Sequence, residues 1–338
     1  MAEKKPFPTG VTVLVTGATG FTGTVLTRKL CERGAKVRAI ARASSKRDSF
    51  QGLPVEWIEG DVYDPGVVER AVAGVEVIFH VAAAYREAGI TDDIYHKVHL
   101  ESTQLLAKAA LRNPGFRRFV HVSTVGVHGH VERPPANEEY PFSPGDVYQQ
   151  TKAAAELWIR EFAPKNGLPF TVIRPAAIYG PGDRRLLKIF KMAAWPFVPV
   201  LGSARGQLYH LIHVDDLTEI FLLAAVHPGA QGEVFIGGDP KALALADIIQ
   251  VISAEYGRKA RLVRIPAWPF FWAAAVCEAV CRPFGWSPPI YRRRVAFFTK
   301  DRSFDTAKLR NLLGFTYGRT TEEGLRQTAR WYREHGWV

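Results

Sequence analysis

The sequence predicts an α/β fold, a doubly wound parallel sheet with a smaller, mainly helical C-terminal domain. Three observations predict it. Short β-branched apolar runs alternate with segments of helical apolar spacing, and the first such run leads into a glycine-rich turn. After Pro175 the alternation breaks into Pro- and aromatic-rich stretches. A chain of 338 residues, 47% hydrophobic, is long enough to bury one large domain and a smaller one. It contains no internal repeat or low-complexity tract.

The elements follow in order. Strands are expected at 11–16, 36–41, 55–58, 75–80, 118–123 and 170–174, with a late one near 233–236; helices fit 20–33, 65–73, 93–112 and 148–164. In the first unit Val11 to Val15 reads as a buried strand, and Gly17, Gly20 and Gly23 follow at steps of three. Val25, Leu26 and Leu30 then take helical spacing, which stops at Gly34. Strand, tight turn and helix open a βαβ unit of Rossmann type. Its turn suits a dinucleotide pyrophosphate, because backbone N–H groups and the partial positive charge of the helix N-terminus face the phosphates. The dinucleotide-binding domain is expected over residues 1–180, rejoined by about 208–238. Residues 181–207 and 239–338 form the expected substrate-binding domain.

Two further motifs give the turn a chemistry. Tyr148-Gln-Gln-Thr-Lys152 puts a phenol and an ammonium on one helix face, one turn apart. A free phenol titrates near pH 10, and a neighbouring cation favours its ionised form, as an acid/base group near neutrality requires. Val122-Ser-Thr-Val-Gly-Val-His-Gly129 can supply a hydroxyl beside the tyrosine. The turn has the form T-G-x-x-G-x-x-G. With the Tyr-x-x-x-Lys pair downstream, the chain resembles the short-chain dehydrogenase/reductase superfamily, in particular its extended branch, the NAD-dependent epimerase/dehydratase superfamily. The resemblance covers almost the whole chain. It includes Gly60-Asp61-Val62, His80-Val-Ala-Ala83, Arg174-Pro-Ala-Ala-Ile-Tyr-Gly-Pro-Gly-Asp183 and His213-Val-Asp-Asp-Leu217, and extends to Leu313-Gly-Phe and Glu323-Gly-Leu.

The resemblance implies hydride exchange with nicotinamide C4, while Tyr148 takes or gives the hydroxyl proton and Lys152 binds the nicotinamide ribose. It makes Thr124 the hydroxyl partner, with Ser123 as second choice; strand geometry points the two to opposite faces. The expected cofactor-binding set is Gly17, Thr19, Gly20, Phe21, Thr22 and Gly23 at the turn, with Asp61 and Val62 at the adenine. Ala82, Ala83, Pro175, Ala177 and Ile178 complete it with Lys152. The second strand ends in Arg42 rather than an acidic residue, and Ser44, Ser45, Lys46 and Arg47 follow. Arg42 and Lys46 therefore join the set, and the cluster predicts a preference for NADP(H), with NAD(H) as the alternative. Two positions depart from the branch. His99 stands where Asn orders the helix and a water near the lysine; it can take over that ordering or relay protons, and reads equally as a merely structural histidine, while His128 stands where Tyr is usual.

The substrate is read from what the branch's motifs lack here. Nucleotide-sugar enzymes carry Asn at the position of Ala177 and often Arg at that of Tyr209, though Arg184, Arg185 or Arg205 could compensate. Ile265-Pro-Ala-Trp-Pro-Phe-Phe-Trp-Ala-Ala-Ala-Val-Cys-Glu-Ala-Val280 suits an apolar pocket wall. It resembles the bacterial 3β-hydroxysteroid dehydrogenase-like and dihydroflavonol reductase-like branch, and reads equally as a core or dimer-interface helix. The expectation is an oxidoreductase of secondary alcohols and ketones on a hydroxysteroid-like substrate. A nucleotide-sugar 4-epimerase or dehydratase is the alternative, and an NAD(P)-binding regulatory protein the non-enzyme one.

Pro266, Pro269 and Glu278 argue against a membrane span in that segment. The flanking Arg282 and Arg292 to Arg294 suit shallow attachment to an anionic membrane surface. The net charge of +11 is spread along the chain without a nucleic-acid module. Cys31, Cys277 and Cys281 are too few for a disulfide framework and lack metal-site spacing, so no metal is expected. The start, Met-Ala-Glu-Lys-Lys-Pro, has no apolar signal region, and a cytoplasmic location is expected. A homodimer is the expectation carried by the resemblance.

Overall fold

The computed structural model describes residues 7–84, 91–202, 207–284, 288–290, 292 and 301–338. The chain runs β1 (Thr12–Thr16), α1 (Phe21–Glu32), β2 (Lys36–Ala41), β3 (Val55–Glu59), α2 (Pro65–Val72), β4 (Val77–His80), α3 (Asp92–His96), α4 (Ser102–Ala110), β5 (Arg118–Val122), α5 (Val147–Asn166) and β6 (Phe170–Pro175). These elements form a parallel sheet of order β3-β2-β1-β4-β5-β6. An eleventh strand, β11 (Val234–Gly237), pairs parallel with β6 and makes seven. The sheet is therefore the expected Rossmann-type one, and the late strand returns to it.

Both faces of the sheet are covered, which is why its strands read as continuous apolar runs rather than alternating ones. On β1, Val13 and Val15 pack with Leu26, Leu30 and Phe221, whereas Leu14 packs on the opposite face with Val68, Leu106 and Ile159. β1 pairs with both β2 and β4, so strand order reverses there and a crevice opens at the strands' C-terminal ends.

One expected helix divides. Residues 93–112 read as continuous, but α3 and α4 are joined by a π-helical turn, Lys97–Glu101, that carries His99 into the interior. α5 is capped by Asp146, whose carboxylate accepts the Gln149 N–H at 2.9 Å. It runs past the expected end at 164 and stops at Gly167, with φ at 67°.

The intervening elements are β7 (Ala177–Tyr179), α6 (Leu187–Ala193), β8 (Phe197–Leu201), β9 (Leu208–Tyr209), β10 (Leu211–His213) and α7 (Val214–Val226). After β11 come β12 (Leu243–Ala244), α8 (Leu245–Glu255), β13 (Arg261–Ile265), α9 (Trp268–Cys281), α10 (Ala307–Leu313) and α11 (Thr321–Glu334). A separate cluster around Phe190, Val198, Ile248, Ile252, Leu325 and Tyr332 forms the C-terminal lobe. The expected split placed all of 239–338 there. Leu309, Leu313 and Phe315 instead pack in the core cluster on the sheet, because α10 follows a return of the chain to β11. His213-Val-Asp-Asp-Leu217 ties the C-terminal segment down. His213 caps α7, and the Asp216 carboxylate accepts the Gly318 N–H at 2.8 Å.

Candidate active site

The glycine turn sits where β1 ends in the crevice. A Cβ on Gly17 would lie 2.8 Å from the backbone of Ala82, and one on Gly23 would lie 2.1 Å from the Gly17 carbonyl oxygen. Side chains at these positions would collide with neighbouring backbone, so only glycine lets the turn close this tightly at the end of β1. Gly20 caps α1 without a side-chain hydrogen bond, so the first-turn N–H groups are left for a ligand. Turn and helix end thus fit a dinucleotide.

α5 brings Tyr148 and Lys152 to the same crevice. The Tyr148 ring packs edge-on against His99 at 5.3 Å and against Tyr95 at 6.5 Å between centroids. Lys152 is buried, and its Nζ donates to the Val122 carbonyl at 2.8 Å. Burial pushes its pKa down to about 8, with the Glu156 carboxylate opposing the shift. Thr124, two residues beyond β5, is extended and caps the next short turn, its Oγ1 accepting the Gly126 N–H at 3.0 Å. The hydroxyl proton is what this group can offer to a substrate oxygen.

Ser123 borders the same cleft, but its hydroxyl is already committed. Its hydroxyl donates to Glu156 Oε2 at 2.6 Å, beneath the crevice. Glu156 in turn pairs with Arg174, both side chains being fully buried, and Arg174 also donates to the Glu138 carbonyl and to His128 Nε2. This charged network was missed in the sequence, although Glu156 lies one turn beyond Lys152 and Arg174 begins a recognised motif. His128 belongs to it as a neutral acceptor, its pKa lowered by burial and by Arg174.

His99 occupies its special position with both nitrogens committed. Nε2 accepts the Ala84 N–H at 3.1 Å, and Nδ1 lies 2.8 Å from Thr151 Oγ1, which itself donates to the Val147 carbonyl. The proton therefore resides on Nδ1, and the ring links the end of β4 to α5. Burial and the Lys152 charge hold His99 neutral, with its pKa pushed down to about 2. This argues against a proton relay through a charged ring and for positioning. His80 is similarly tied between Thr16 at 2.8 Å and Ser102 at 3.1 Å, its pKa lowered to about 3, first by burial and then by Lys152.

Of the expected cofactor-binding residues, Gly17, Thr19 to Gly23, Arg42, Asp61, Val62, Ala82, Ala83, Lys152, Pro175, Ala177 and Ile178 line one continuous cleft. Lys46 does not. It lies beyond the turn after β2, exposed, while Ser45, Ser49 and Arg28 face the cleft beside Arg42. Arg47 is engaged elsewhere, with Glu59 at 3.3 Å and over the Trp57 ring. Arg28 was not legible, because it projects from α1 toward the 3₁₀ turn after β2, where it donates to the Ser49 carbonyl.

The cleft has a volume of about 2350 Å³, beyond the roughly 300–1,000 Å³ of a site for one small molecule. It continues from Thr124 and Tyr148 into the C-terminal lobe, where Ile189, Met192, Leu201, Leu245, Ile265 and Phe270 line it. Tyr209, Arg184, Arg185 and Arg302 also face it. Arg205 lies outside the described residues. Among the described residues no cluster of His, Cys, Asp and Glu is placed to hold a metal ion, and no helix is long and apolar enough to cross a membrane.

A Rossmann-type sheet with this glycine turn, a Thr-Tyr-Lys crevice and a C-terminal lobe over it defines the extended short-chain dehydrogenases/reductases. Residues 13–237 match the model of the NAD dependent epimerase/dehydratase family. The chain belongs to that family and is an NAD-dependent enzyme of the oxidoreductase type. A Synechocystis protein provisionally named dihydroflavonol 4-reductase is 31% identical, over 96% of this chain and 95% of its own. The 3 beta-hydroxysteroid dehydrogenase/Delta 5→4-isomerase of Mycobacterium tuberculosis is 29% identical, over 95% of this chain and 90% of its own. Among solved structures, that of gox2253 superposes with a TM-score of 0.83 at 29% identity, covering 97% of this chain and 99% of that one.

Proposed function

We propose that the protein interconverts a secondary alcohol and its ketone on an apolar alicyclic, hydroxysteroid-like substrate, with NADP(H) preferred over NAD(H). The observation that carries this is the cleft wall beyond Tyr148. Ile189, Met192, Leu201, Leu245, Ile265 and Phe270 give it an aliphatic and aromatic surface. A relative named 3 beta-hydroxysteroid dehydrogenase/isomerase at 29% identity supports the substrate class.

The chain's own groups divide the work. The glycine turn and the α1 N-terminus would hold the pyrophosphate, and Asp61 and Val62, which line the same cleft, would border the adenine. When bound, the nicotinamide supplies the hydride acceptor or donor. Thr124 donates a hydrogen bond to the substrate oxygen and keeps its proton, while Tyr148 takes that oxygen's proton during oxidation and returns it during reduction. Lys152, buried below, favours the ionised phenol whenever it carries its charge. Arg42, Ser45 and Arg28 supply the cations and hydroxyl that a 2′-phosphate needs, and β2 ends without a carboxylate to repel it.

The test combines turnover of a hydroxysteroid and ketone panel with mass spectrometry of small molecules released from the denatured protein. Steroid turnover with an exchangeable cofactor, faster with NADP⁺ than with NAD⁺, is expected. The epimerase or dehydratase alternative draws on Arg184, Arg185 and Arg302 in the same cleft. Stoichiometric retained cofactor with turnover of a nucleotide sugar would replace our reading with that one.

A further inference from the structure

Helix α9 is apolar along its length, yet of its fourteen residues only Ala274 and Cys281 are buried. Trp268 is 72% exposed, Trp272 68%, Phe284 64% and Val280 55%. The neighbouring ribbon, in which β8 pairs parallel with β13, adds Phe197 at 57% and Val263 at 45%, with Trp195 just before it at 51%. This many exposed aromatic and aliphatic side chains on two elements joined by a short stretch of chain mark an interaction site. We propose that this face docks on an anionic membrane surface and opens the substrate cleft toward it, an inference that rests on the apolar-substrate reading above.

The charges around the face select the partner. Arg258, Lys259, Arg261, Arg264 and Arg282 are all exposed around it, and none has an acidic partner among the described residues. The one acid of α9, Glu278, is paired with Arg292 at 3.8 Å. A groove of about 460 Å³ between Trp195, Pro196, Phe197, Arg258, Lys259 and Arg261 offers cations beside aromatic rings, the setting of a lipid phosphate at the interface. A second copy docking through the same face would bring five cations against five, which disfavours a homodimer there. At 14 residues α9 is about 21 Å long by helix rise, too short to span a bilayer core of about 30 Å, so it lies along the surface.

The ribbon also explains why docking serves the site. Its register places Phe197 opposite Arg261, Pro199 opposite Val263 and Leu201 opposite Ile265. Side chains two apart share a face, and the Arg261 guanidinium over the Phe197 ring fits that alignment. One face therefore runs from exposed Phe197 through Pro199 to Leu201 and Ile265, which line the cleft that holds Tyr148. An apolar substrate dissolved in the bilayer has a continuous apolar path to the reactive groups.

Flotation of the full chain with vesicles tests this. With phosphatidylcholine plus phosphatidylglycerol the protein should float, with a tryptophan emission blue shift, and high salt should release it; with phosphatidylcholine alone it should stay down. Trp268→Ser and Trp272→Ser should each lower the partition constant about tenfold, the order set by withdrawing one large apolar side chain, with an unchanged thermal melt. Arg258→Glu with Arg261→Glu should abolish the preference for the anionic lipid. Protein that stays down with both vesicles, floating unaffected by these variants, or a wild-type dimer that the Trp variants split would each overturn the proposal, the last by assigning the face to a second copy. Vesicle binding without steroid turnover would keep the docking face and remove the steroid reading; turnover without vesicle binding would do the reverse.

Discussion

At the scale of single residues, adjacent hydroxyls do different work. Both border the cleft, but the Ser123 hydroxyl is committed to Glu156, whereas that of Thr124 keeps its proton to donate. Thr124→Ala should lower kcat about a hundredfold or more, while Ser123→Ala should leave kcat near wild type and cost about 1–2 kcal/mol of stability by stripping a buried hydrogen bond from a carboxylate. Steady-state kinetics with urea titration of both variants checks this, and a larger kcat loss at Ser123 would reverse the assignment. Lys152 carries the opposite lesson, that a functional charge is held at a cost. Its folded pKa of about 8 lies below the 10.5 of a solvated lysine. The native state therefore binds fewer protons between those values, and stability contributed by this group rises with pH there and is lowest below pH 8. Lys152→Met should stabilise the cofactor-free protein at pH 7 by up to about 3 kcal/mol, fading toward pH 10.5, while turnover is lost. Thermal melts across that range decide it; equal effects at pH 7 and 10.5 would contradict the burial argument. The motif spacing made Thr124, Tyr148 and Lys152 legible. It did not show that Ser123 bonds to Glu156, because that partner comes from another element.

At the scale of elements, the turn between β1 and α1 works by what it lacks. A Cβ on Gly23 would fall 2.1 Å from the Gly17 oxygen, so the turn cannot keep its shape with any larger residue. Gly23→Ala should weaken cofactor binding about tenfold or more, the energetic scale of overpacking a tight contact, and titration calorimetry measures it. Unchanged affinity would move the pyrophosphate elsewhere. The strand–turn–helix rhythm was readable because β1 is apolar on both faces and α1 repeats at helical spacing. The π-helical turn at Lys97–Glu101 was not, since local spacing across 93–112 suits an unbroken helix. What selects the turn is long-range: His99 reaches Ala84 after β4 and Thr151 on α5 at once.

At the scale of the molecule, the crevice rests on buried neutral histidines. His80 and His99 have folded pKa values of about 3 and about 2, and His121, fully buried between Phe119 and His80, is also held far below its ordinary value by burial. An unfolded histidine takes a proton near pH 6.5. Below that the unfolded state binds more protons, so stability falls with pH by up to about 1.4 kcal/mol per unit for each histidine. Urea midpoints should drop from pH 7 to pH 5.5. His121 has no hydrogen-bond partner for either ring nitrogen among the described residues. His121→Phe should therefore raise stability and flatten the acid slope by as much as one proton. An unchanged slope would mean that His121 titrates normally.

The sequence by itself determined the sheet, the glycine turn and the Tyr148-Lys152 pair, because each depends on periodicity or spacing within one or two consecutive elements. The tertiary structure decided what depends on pairing across distance. It put Ser123 under Glu156 and Arg174, Lys46 outside the cleft, Arg28 inside it and α10 against the sheet. It also left α9 outside the core, which composition alone could not show, since an apolar helix has the same sequence whether its neighbour is a core, a subunit or a membrane.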